Sequence, residues 1–265
     1  MSEIVAKVKQ RQIAQLIAHG KRLDNRGLTD FREFQIETGL IEKAEGSAYV
    51  KLGRTEVLVG VKAEVGEPFP DTPEEGVLTV NAELVPLASP SFEPGPPDEN
   101  SVELARVVDR SIRESKAIAT GELVLEAGKK VIIVFVDVYV LNHDGNLIDA
   151  SVMAALAALL NCKIPNYAIE EGEVKKKTGY AQLPIKNYPV SVTFASIGGK
   201  LVTDPWLDEE QVMDARLTMT FEKDGNICAI QKGGGSGSFT VQQIIEAAKT
   251  GQEKSVELRK LVVKE

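Results

Sequence analysis

The chain has 265 residues, of which 43% are hydrophobic and 26% charged, values that are typical of a folded globular protein. No apolar run approaches the ~20 residues that a membrane-spanning helix needs, which argues against a membrane protein. Lys and Arg total 31 against 39 Asp and Glu, so the formal net charge is −8. Because free-standing nucleic-acid-binding proteins are usually basic, any contact with nucleic acid must use a local basic patch or a partner's charge.

The N-terminus and the two cysteines indicate the cellular compartment. The N-terminus lacks the basic and then apolar pattern of a secretory signal, and the two cysteines, Cys162 and Cys228, belong to no paired motif. Both features favour a reducing, cytoplasmic location with free thiols. The two histidines, His19 and His143, lie far apart and in no metal-ligand spacing. We therefore expect no metal site, no cofactor and no histidine-based catalytic triad.

Apolar residues at helical spacing predict helices over residues 4–19, 101–116, 149–160 and 240–248. Gly20 ends the first helix, Asn100 or Ser101 caps the second, and the third is so rich in Ala and Leu that it should be buried. Alternating or continuous apolar runs predict strands over residues 48–51, 55–64, 77–85, 131–141, 190–197, 200–203, 215–221 and 227–231.

The order of these elements predicts the fold class. Strands and helices are mixed, and similar strand–helix blocks lie before and after about residue 127, which predicts a layered α+β fold with an internal duplication. The run 131–141 is apolar enough to require cover on both faces of its sheet. A proline-rich surface loop should precede the second helix, and a charged tail should follow the last one.

The second helix carries a cluster of arginines. Arg106, Arg110 and Arg113 fall at helical spacing, so their guanidinium groups share one helix face, opposite an apolar face. Asp109 and Glu114 lie close enough in sequence to pair with some of them. The pattern fits a salt-bridged, solvated face, and it equally fits a row of phosphate ligands, because the guanidinium fork matches phosphate oxygens. Helical periodicity does not decide between the two.

Other candidate groups are weaker. Asp204 follows a predicted strand and Asp214 precedes one, and each could act as an acid or bind a metal, but carboxylates at strand ends are common. The glycine-rich run 233–237 precedes the last helix and could attract an anion. It lacks the Gly-Lys-Ser/Thr ending of a nucleotide-binding loop, so a turn into the helix is the better interpretation.

Several segments together resemble the RNase PH family. The sequence Arg-Leu-Asp-Asn-Arg at residues 22–26 is similar to the family's Arg-x-Asp-Gly-Arg signature, with Asn25 in place of glycine. Residues 46–53 are similar to its first glycine-bounded strand pair. Three further segments are more specific. They resemble the non-catalytic members of this family in archaeal exosomes, and they are residues 81–88, 92–100 and 103–110.

This resemblance implies a duplicated β-α-β-α core of the RNase PH and ribosomal protein S5 domain 2-like type. The chain would form a single RNase PH-like domain over residues 1–265, with halves at about 22–127 and 128–250. It would alternate with a catalytic RNase PH-like subunit in a hexameric ring around single-stranded RNA. Cap subunits with S1, KH or zinc-ribbon domains would lie on one face of that ring.

The resemblance also bears on activity. Active members hold phosphate with a Gly-Thr/Ser-Arg triplet after the central strand, whereas residues 144–149 here read Asp-Gly-Asn-Leu-Ile-Asp. Because the hydroxyl and the arginine are both missing, phosphorolysis would lose several kcal/mol of transition-state stabilisation. The prediction is a non-catalytic subunit without catalytic residues, although Asp214 is a candidate for the position of the family's catalytic aspartate.

The resemblance also implies a role for the arginine face. Arg106 and Arg110 would bind RNA phosphates, and Arg113 would be either a third ligand or salt-bridged. Two alternatives stay open at this point. One is an independently active phosphorolytic 3′-to-5′ exoribonuclease. The other is a structural ring spacer that makes no contact with RNA.

Overall fold

The computed structural model describes residues 3–170 and 173–263. The helices are α1 (Glu3–Ala18), α2 (Glu99–Glu114), α3 (Leu147–Leu160), α4 (Leu207–Glu210) and α5 (Val241–Val262). The strands are β1 (Phe34–Thr38), β2 (Gly46–Leu52), β3 (Thr55–Gly66), β4 (Val77–Leu84), β5 (Val124–Glu126), β6 (Lys130–Asn142), β7 (Lys163–Glu170), β8 (Glu173–Gln182), β9 (Val190–Ile197), β10 (Lys200–Thr203), β11 (Ala215–Phe221) and β12 (Ile227–Gly233).

Within these residues the strands form a six-stranded sheet, a four-stranded sheet and a separate two-stranded hairpin. The first sheet has the order β1-β2-β3-β6-β4, with β5 added beside β6, and its β4–β6 pair is parallel. The second sheet is antiparallel with the order β10-β9-β11-β12. The hairpin consists of β7 and β8. This mixture confirms the predicted α+β class.

Helices α2 and α3 lie between the two larger sheets. α3 packs on β2 and β3 of the first sheet and on β9 of the second, while α2 packs on β4 and β12. Every α3 residue from 148 to 159 is buried, as the continuous Ala- and Leu-rich run predicts for a helix that is covered on all sides. One apolar core therefore runs from sheet to sheet through the helices.

α1 packs outside this core, where Ile13 and Ile17 contact the apolar residues of β9 and β10. The predicted helix over residues 4–19 is therefore confirmed. It ends at Ala18, and Gly20 follows with a φ of 73°, in the left-handed region that glycine tolerates. Among the described residues no helix combines the length and the apolarity needed to cross a membrane.

Three local predictions need correction. The cap of α2 is Asp98, whose side chain accepts a hydrogen bond of 2.8 Å from the Ser101 amide, rather than Asn100 or Ser101 itself. β6 was predicted to be covered on both faces of its sheet. Only one face is fully covered, because Phe135 and Tyr139 on the other face are half-buried. Where a charged tail was expected, α5 continues to residue 262, because a stripe of small and apolar residues is buried along it: Ala247, Gly251, Ser255 and Leu258.

β1 and the β7–β8 hairpin were absent from the predicted elements. β1 has a mostly exposed burial pattern, and β8 is polar except at Val174, Gly179, Tyr180 and Ala181, which do not alternate. Neither strand therefore has the apolar alternation on which strand prediction depends. The first sheet combines strands from both predicted halves, because β6 lies after residue 127 and pairs with β3 and β4, which lie before it. The internal duplication and its boundaries stay a prediction.

Candidate functional site

The arginines of α2 lie where the helical spacing placed them. Arg106, Arg110 and Arg113 are all exposed on one face, while Leu104 and Val108 face the core on the other. Arg113 is paired with Asp109 across one helical turn at 2.7 Å. Neither Arg106 nor Arg110 has an ion-pair partner in the part of the chain that the structure describes. Two guanidinium groups one turn apart are therefore free to bind an anionic ligand.

The surface beside Arg110 extends onto the second sheet. Arg110 borders a shallow depression formed with Thr218 and Thr220 of β11 and with Ile230 and Gln231 of β12. β12 is one of the two edge strands of its sheet and packs beside α2. The arginine face thus borders the accessible side chains of Ile230 and Gln231, with the buried Thr218 and Thr220 beneath them.

A cavity of about 230 Å³ lies at the start of α3, between the first turn of α2 and the second sheet. Phe92 from the proline-rich loop lies in its wall and stacks on His143, with ring centroids 5.3 Å apart. Burial lowers the pKa of His143. The charged groups in the wall are Glu103, Glu210 and Arg216.

The residue before α3 connects this cavity to the core. Asn146 adopts a left-handed conformation with φ of 52° and caps α3. Its backbone N–H donates a hydrogen bond of 2.9 Å to Oε1 of Glu210. Its side-chain Nδ2 donates to Oδ2 of Asp149 at 2.8 Å and to Oδ1 of Asp204 at 2.7 Å. Carboxylates of this chain therefore surround the start of α3, the kind of position at which helices otherwise bind anions.

Two of these carboxylates have unusual acidity. Burial raises the pKa of Asp149 to about 7, although hydrogen bonds from Asn146 and Thr193 act in the opposite direction. Burial likewise raises the pKa of Glu210 to about 7 against the hydrogen bond from Asn146. Both groups therefore change charge near neutral pH.

Arg216 supplies the cation in the cavity wall, and it is already paired. Its Nη2 lies 2.7 Å from Oε1 of Glu103, with the Arg216 side chain only 15% exposed. Both features that could attract phosphate, the start of α3 and the Arg216 guanidinium, are therefore in contact with internal carboxylates. Because these carboxylates already occupy the positive groups, the cavity disfavours binding of a further anion such as phosphate.

Asp204 belongs to a buried ion network rather than to an open site. It is fully buried with φ of 49°, and Arg32 binds it with both Nε and Nη2, at 2.9 and 2.7 Å. Nη1 of Arg26 donates to it at 2.8 Å. Burial acts to raise its pKa, but the hydrogen bonds and charges of Arg32, together with the charge of Arg26, lower it overall. Its oxygens have no room for a substrate or a metal.

The signature at residues 22–26 forms the other half of this network. The buried Arg22 binds Glu209 of α4 in a two-pronged contact and donates to the carbonyl oxygens of Thr203 and Asp204, both at 2.8 Å. Asn25 has φ of 65°, a conformation that glycine adopts easily and Asn tolerates. This explains how Asn can replace the signature glycine. In this chain the signature attaches the segment after α1 to the loop after β10.

Asp214 and the glycine-rich run are neighbours in the structure. Oδ2 of the exposed Asp214 accepts a hydrogen bond of 2.9 Å from the Gly198 amide, and its carbonyl accepts one of 2.8 Å from Gly237. A Cβ atom at Gly235 would lie 2.1 Å from that carbonyl oxygen. The run therefore packs backbone against backbone before α5, as expected for a turn rather than a phosphate loop.

Sequence patterns did not indicate the residues that shape the cavity. Glu210 lies in a short helix and Arg216 is a single charge in a strand, so neither has a local signal. Glu103 lies in the segment 103–110 that resembles the family, but nothing in that segment indicates its pairing with Arg216. Among the described residues no cluster of His, Cys, Asp and Glu has a geometry that could hold a metal ion.

The sequence matches two family models, domain 1 of the 3′ exoribonuclease family over residues 30–165 and domain 2 over residues 187–254. It is 54% identical over 263 residues to exosome complex component Rrp42 of Thermococcus gammatolerans, covering 98% of this chain and 96% of that protein. To Rrp42 of Methanothermobacter thermautotrophicus it is 48% identical over 257 residues, covering 97% and 94%.

Solved structures are similar over the same extent. A chain of an Archaeoglobus fulgidus exosome with RNA bound to the active site matches with a TM-score of 0.89 at 49% identity, covering 97% of this chain and 99% of that chain. A chain of an archaeal exosome core matches with a TM-score of 0.86 at 44% identity, covering 98% of each. These matches confirm the RNase PH fold, and the chain belongs to the RNase PH, or 3′ exoribonuclease, family.

Proposed function

We propose that this chain is a non-catalytic ring subunit of an archaeal exosome, where it binds single-stranded RNA and helps to structure the active site of a catalytic RNase PH-like partner. The observation that carries the proposal is the pair of exposed, unpaired arginines on α2, Arg106 and Arg110. The similar proteins are named as exosome components, and one of the similar structures is an exosome with RNA at its active site.

The RNA role rests on charge and geometry. The Cβ atoms of residues at positions i and i+4 lie about 6 Å apart on a helix, so the guanidinium groups of Arg106 and Arg110 can both contact one phosphodiester backbone. Arg113 is a weaker ligand, because binding RNA would require breaking its contact with Asp109. Phosphate contacts of this kind carry little sequence information, so we expect binding without strong base preference. The acidic remainder of the chain keeps the attraction local.

The non-catalytic role rests on the cavity at the start of α3. Phosphorolysis brings inorganic phosphate beside the scissile phosphodiester, and both are anions that need uncompensated positive charge. Here Glu210 accepts from the Asn146 amide and Glu103 is paired with Arg216. Residues 144–149 also lack the hydroxyl and the arginine with which active members hold phosphate, and internal carboxylates occupy the positive groups that remain.

The proposed assembly is supported by the similarity to exosome components. We propose a hexameric ring in which this chain alternates with the catalytic subunit, together with cap subunits that carry S1, KH or zinc-ribbon domains. A cytoplasmic location fits the RNA substrate and the two free cysteines, of which Cys162 is buried.

Phosphate-dependent release of nucleoside diphosphates from oligo(A) RNA tests the function. The assay compares this chain alone, the catalytic partner alone and the reconstituted complex. We expect no release by this chain and the fastest release by the complex. Phosphorolysis by the isolated chain would instead establish the independently active exoribonuclease. If the complex releases diphosphates no faster and binds RNA no more tightly than the catalytic partner alone, the chain would be a structural ring spacer without RNA contact.

A further inference from the structure

The β7–β8 hairpin lies outside the two larger sheets. β8 pairs with β7 on one side, and its other edge has no strand beside it within the described residues. Residues 175–182 are exposed without interruption, on both faces of the strand. A strand that buries so little contributes little to the core, so its side chains are free to serve another purpose.

The exposed side chains of β8 combine three consecutive lysines with an aromatic ring. The Nζ atom of Lys176 lies 5.6 Å from the ring centroid of Tyr180, and this ring belongs to a side chain that is 63% exposed. Tyr167 of β7 is directly opposite Lys176 in the strand register. Tyr167 is partly buried and packs against the main core, so Tyr180 is the exposed ring beside Lys176.

The other face is also basic. Lys175 and Lys177 both approach the same carboxylate, Glu170, at 3.3 and 4.0 Å. Residues 163–182 carry four lysines against three glutamates, Glu170, Glu171 and Glu173, and all three glutamates fall within residues 170–173, at the turn end of the hairpin, so the lysines outnumber the acids along the rest of β8. Lys176 has no acidic partner in the described part of the chain, and Lys163 adds a further exposed ammonium at the start of β7. In a chain with a net charge of −8 this concentration of lysine is local.

Protection of an open strand edge is the simplest competing explanation, because lysines on edge strands discourage pairing with other chains. It accounts for the lysines but not for Tyr180, since an exposed aromatic ring on an open edge favours association. Lysines together with exposed rings are instead the combination found where proteins bind single-stranded nucleic acid, with bases stacked on the rings and cations on the phosphates.

We propose that the β7–β8 hairpin is a second contact for single-stranded RNA, in which Lys175, Lys176 and Lys177 bind backbone phosphates and a base stacks on Tyr180. The proposal rests on the RNA-binding function proposed above, but it uses a surface separate from α2. An RNA long enough to reach both surfaces would then bind more tightly than a short one, because the second contact becomes intramolecular.

The test is fluorescence anisotropy of labelled oligo(A) of increasing length with the reconstituted complex, over a range of salt concentrations. The first variant is Lys175→Gln/Lys176→Gln/Lys177→Gln. Its matched control is Lys129→Gln/Lys200→Gln/Lys249→Gln, which removes the same charge from exposed positions outside the hairpin. Tyr180→Ala and Tyr180→Phe separate loss of the ring from loss of the hydroxyl.

We expect the hairpin variant to make the slope of log K against log salt shallower by about 2, since each single-strand phosphate contact contributes about 0.7. Tyr180→Ala should weaken binding about tenfold, whereas Tyr180→Phe should bind like the parent because it keeps the stacking surface. Equal losses for the hairpin and control variants would show a mere net-charge effect and overturn the proposal.

Three further outcomes are decisive. Unchanged RNA affinity in the hairpin variant, with weaker binding in Arg106→Ala/Arg110→Ala, would overturn the hairpin contact alone. A complex that binds RNA no better than the catalytic partner would refute the proposed function itself. Unchanged RNA affinity with a loss of assembly, seen by mass photometry, would assign the hairpin to a protein partner and likewise overturn the RNA contact.

Discussion

The backbone amide of Asn146 and the carboxylate of Glu210 are joined by a hydrogen bond of 2.9 Å at the start of α3. The bond brings a negative side chain to the helix end that carries a partial positive charge. In a phosphorolytic relative this end of a helix would be available to phosphate. The contact gives a structural reason for the proposed lack of phosphorolytic activity, in addition to the missing hydroxyl and arginine of residues 144–149.

Burial of Asp149 and Glu210 around the start of α3 predicts how stability depends on pH. The pKa values of Asp149 and Glu210 are raised to about 7 in the folded protein, from 3.8 and 4.5. Between about pH 5 and pH 7 the folded state therefore binds protons that the unfolded state does not. The free energy of unfolding should fall as pH rises through this window, by about 1 kcal/mol or more.

Urea unfolding at pH 5.5 and pH 7.5 measures this dependence. Glu210→Gln and Asp149→Asn should each make it smaller, because neither amide titrates. Asp204 acts in the opposite direction, since its lowered pKa removes stability only below about pH 4. A protein that is equally stable at both pH values, or more stable at pH 7.5, would contradict the assignment of raised pKa values.

Arg106→Ala/Arg110→Ala should weaken RNA binding by the reconstituted complex. Loss of two phosphate contacts predicts a salt slope that is shallower by about 1.4. Arg113→Ala is the matched control, because Arg113 is already engaged with Asp109 and should contribute less. Salt-dependent anisotropy titration measures both. Equal effects of Arg113→Ala and Arg110→Ala would contradict a special role for the unpaired arginines.

Asp204→Asn should destabilise the chain strongly. The substitution leaves the largely buried Arg26 and Arg32 guanidinium groups without their shared carboxylate, which typically costs about 3–5 kcal/mol. Asp214→Asn is the control, because Asp214 is exposed and the amide oxygen can still accept from Gly198. We expect that control to change the free energy of unfolding by about 0.5 kcal/mol or less. Similar losses for both variants, measured by urea unfolding, would argue against the buried network.

Gly251→Ala should disturb the packing of α5 on the second sheet. A Cβ atom at residue 251 would lie 2.6 Å from the Phe221 ring, so the helix or the ring must move. Overpacking of this kind costs about 1–3 kcal/mol. Gly121→Ala, where nothing lies within 4 Å of the added methyl, is the control. A thermal melt that shows no difference between the two variants would mean that α5 is not held against Phe221.

Much of this protein could be predicted from local patterns. The amphipathic spacing of α2 placed Arg106, Arg110 and Arg113 on one exposed face, and the unbroken Ala and Leu run of α3 required a helix buried on all sides. The motifs at residues 22–26, 81–88 and 103–110 indicated the family, and the altered stretch 144–149 indicated that phosphate contacts are missing. Each of these signals lies within about twenty consecutive residues, where helix and strand periodicity directly relate sequence to geometry.

Tertiary structure alone decided which charges meet. Glu210 reaches Asn146 across 64 residues, and Asp204 meets Arg32 across 172. The sequence had left Asp204 as a candidate acid, and only its burial among arginines shows that it is structural. Sequence patterns likewise gave no signal for the exposed lysines and tyrosine of β8, because a mostly polar strand has no apolar alternation. Periodicity reports which way a side chain points from its own element, whereas partners and acidity depend on where distant elements come together.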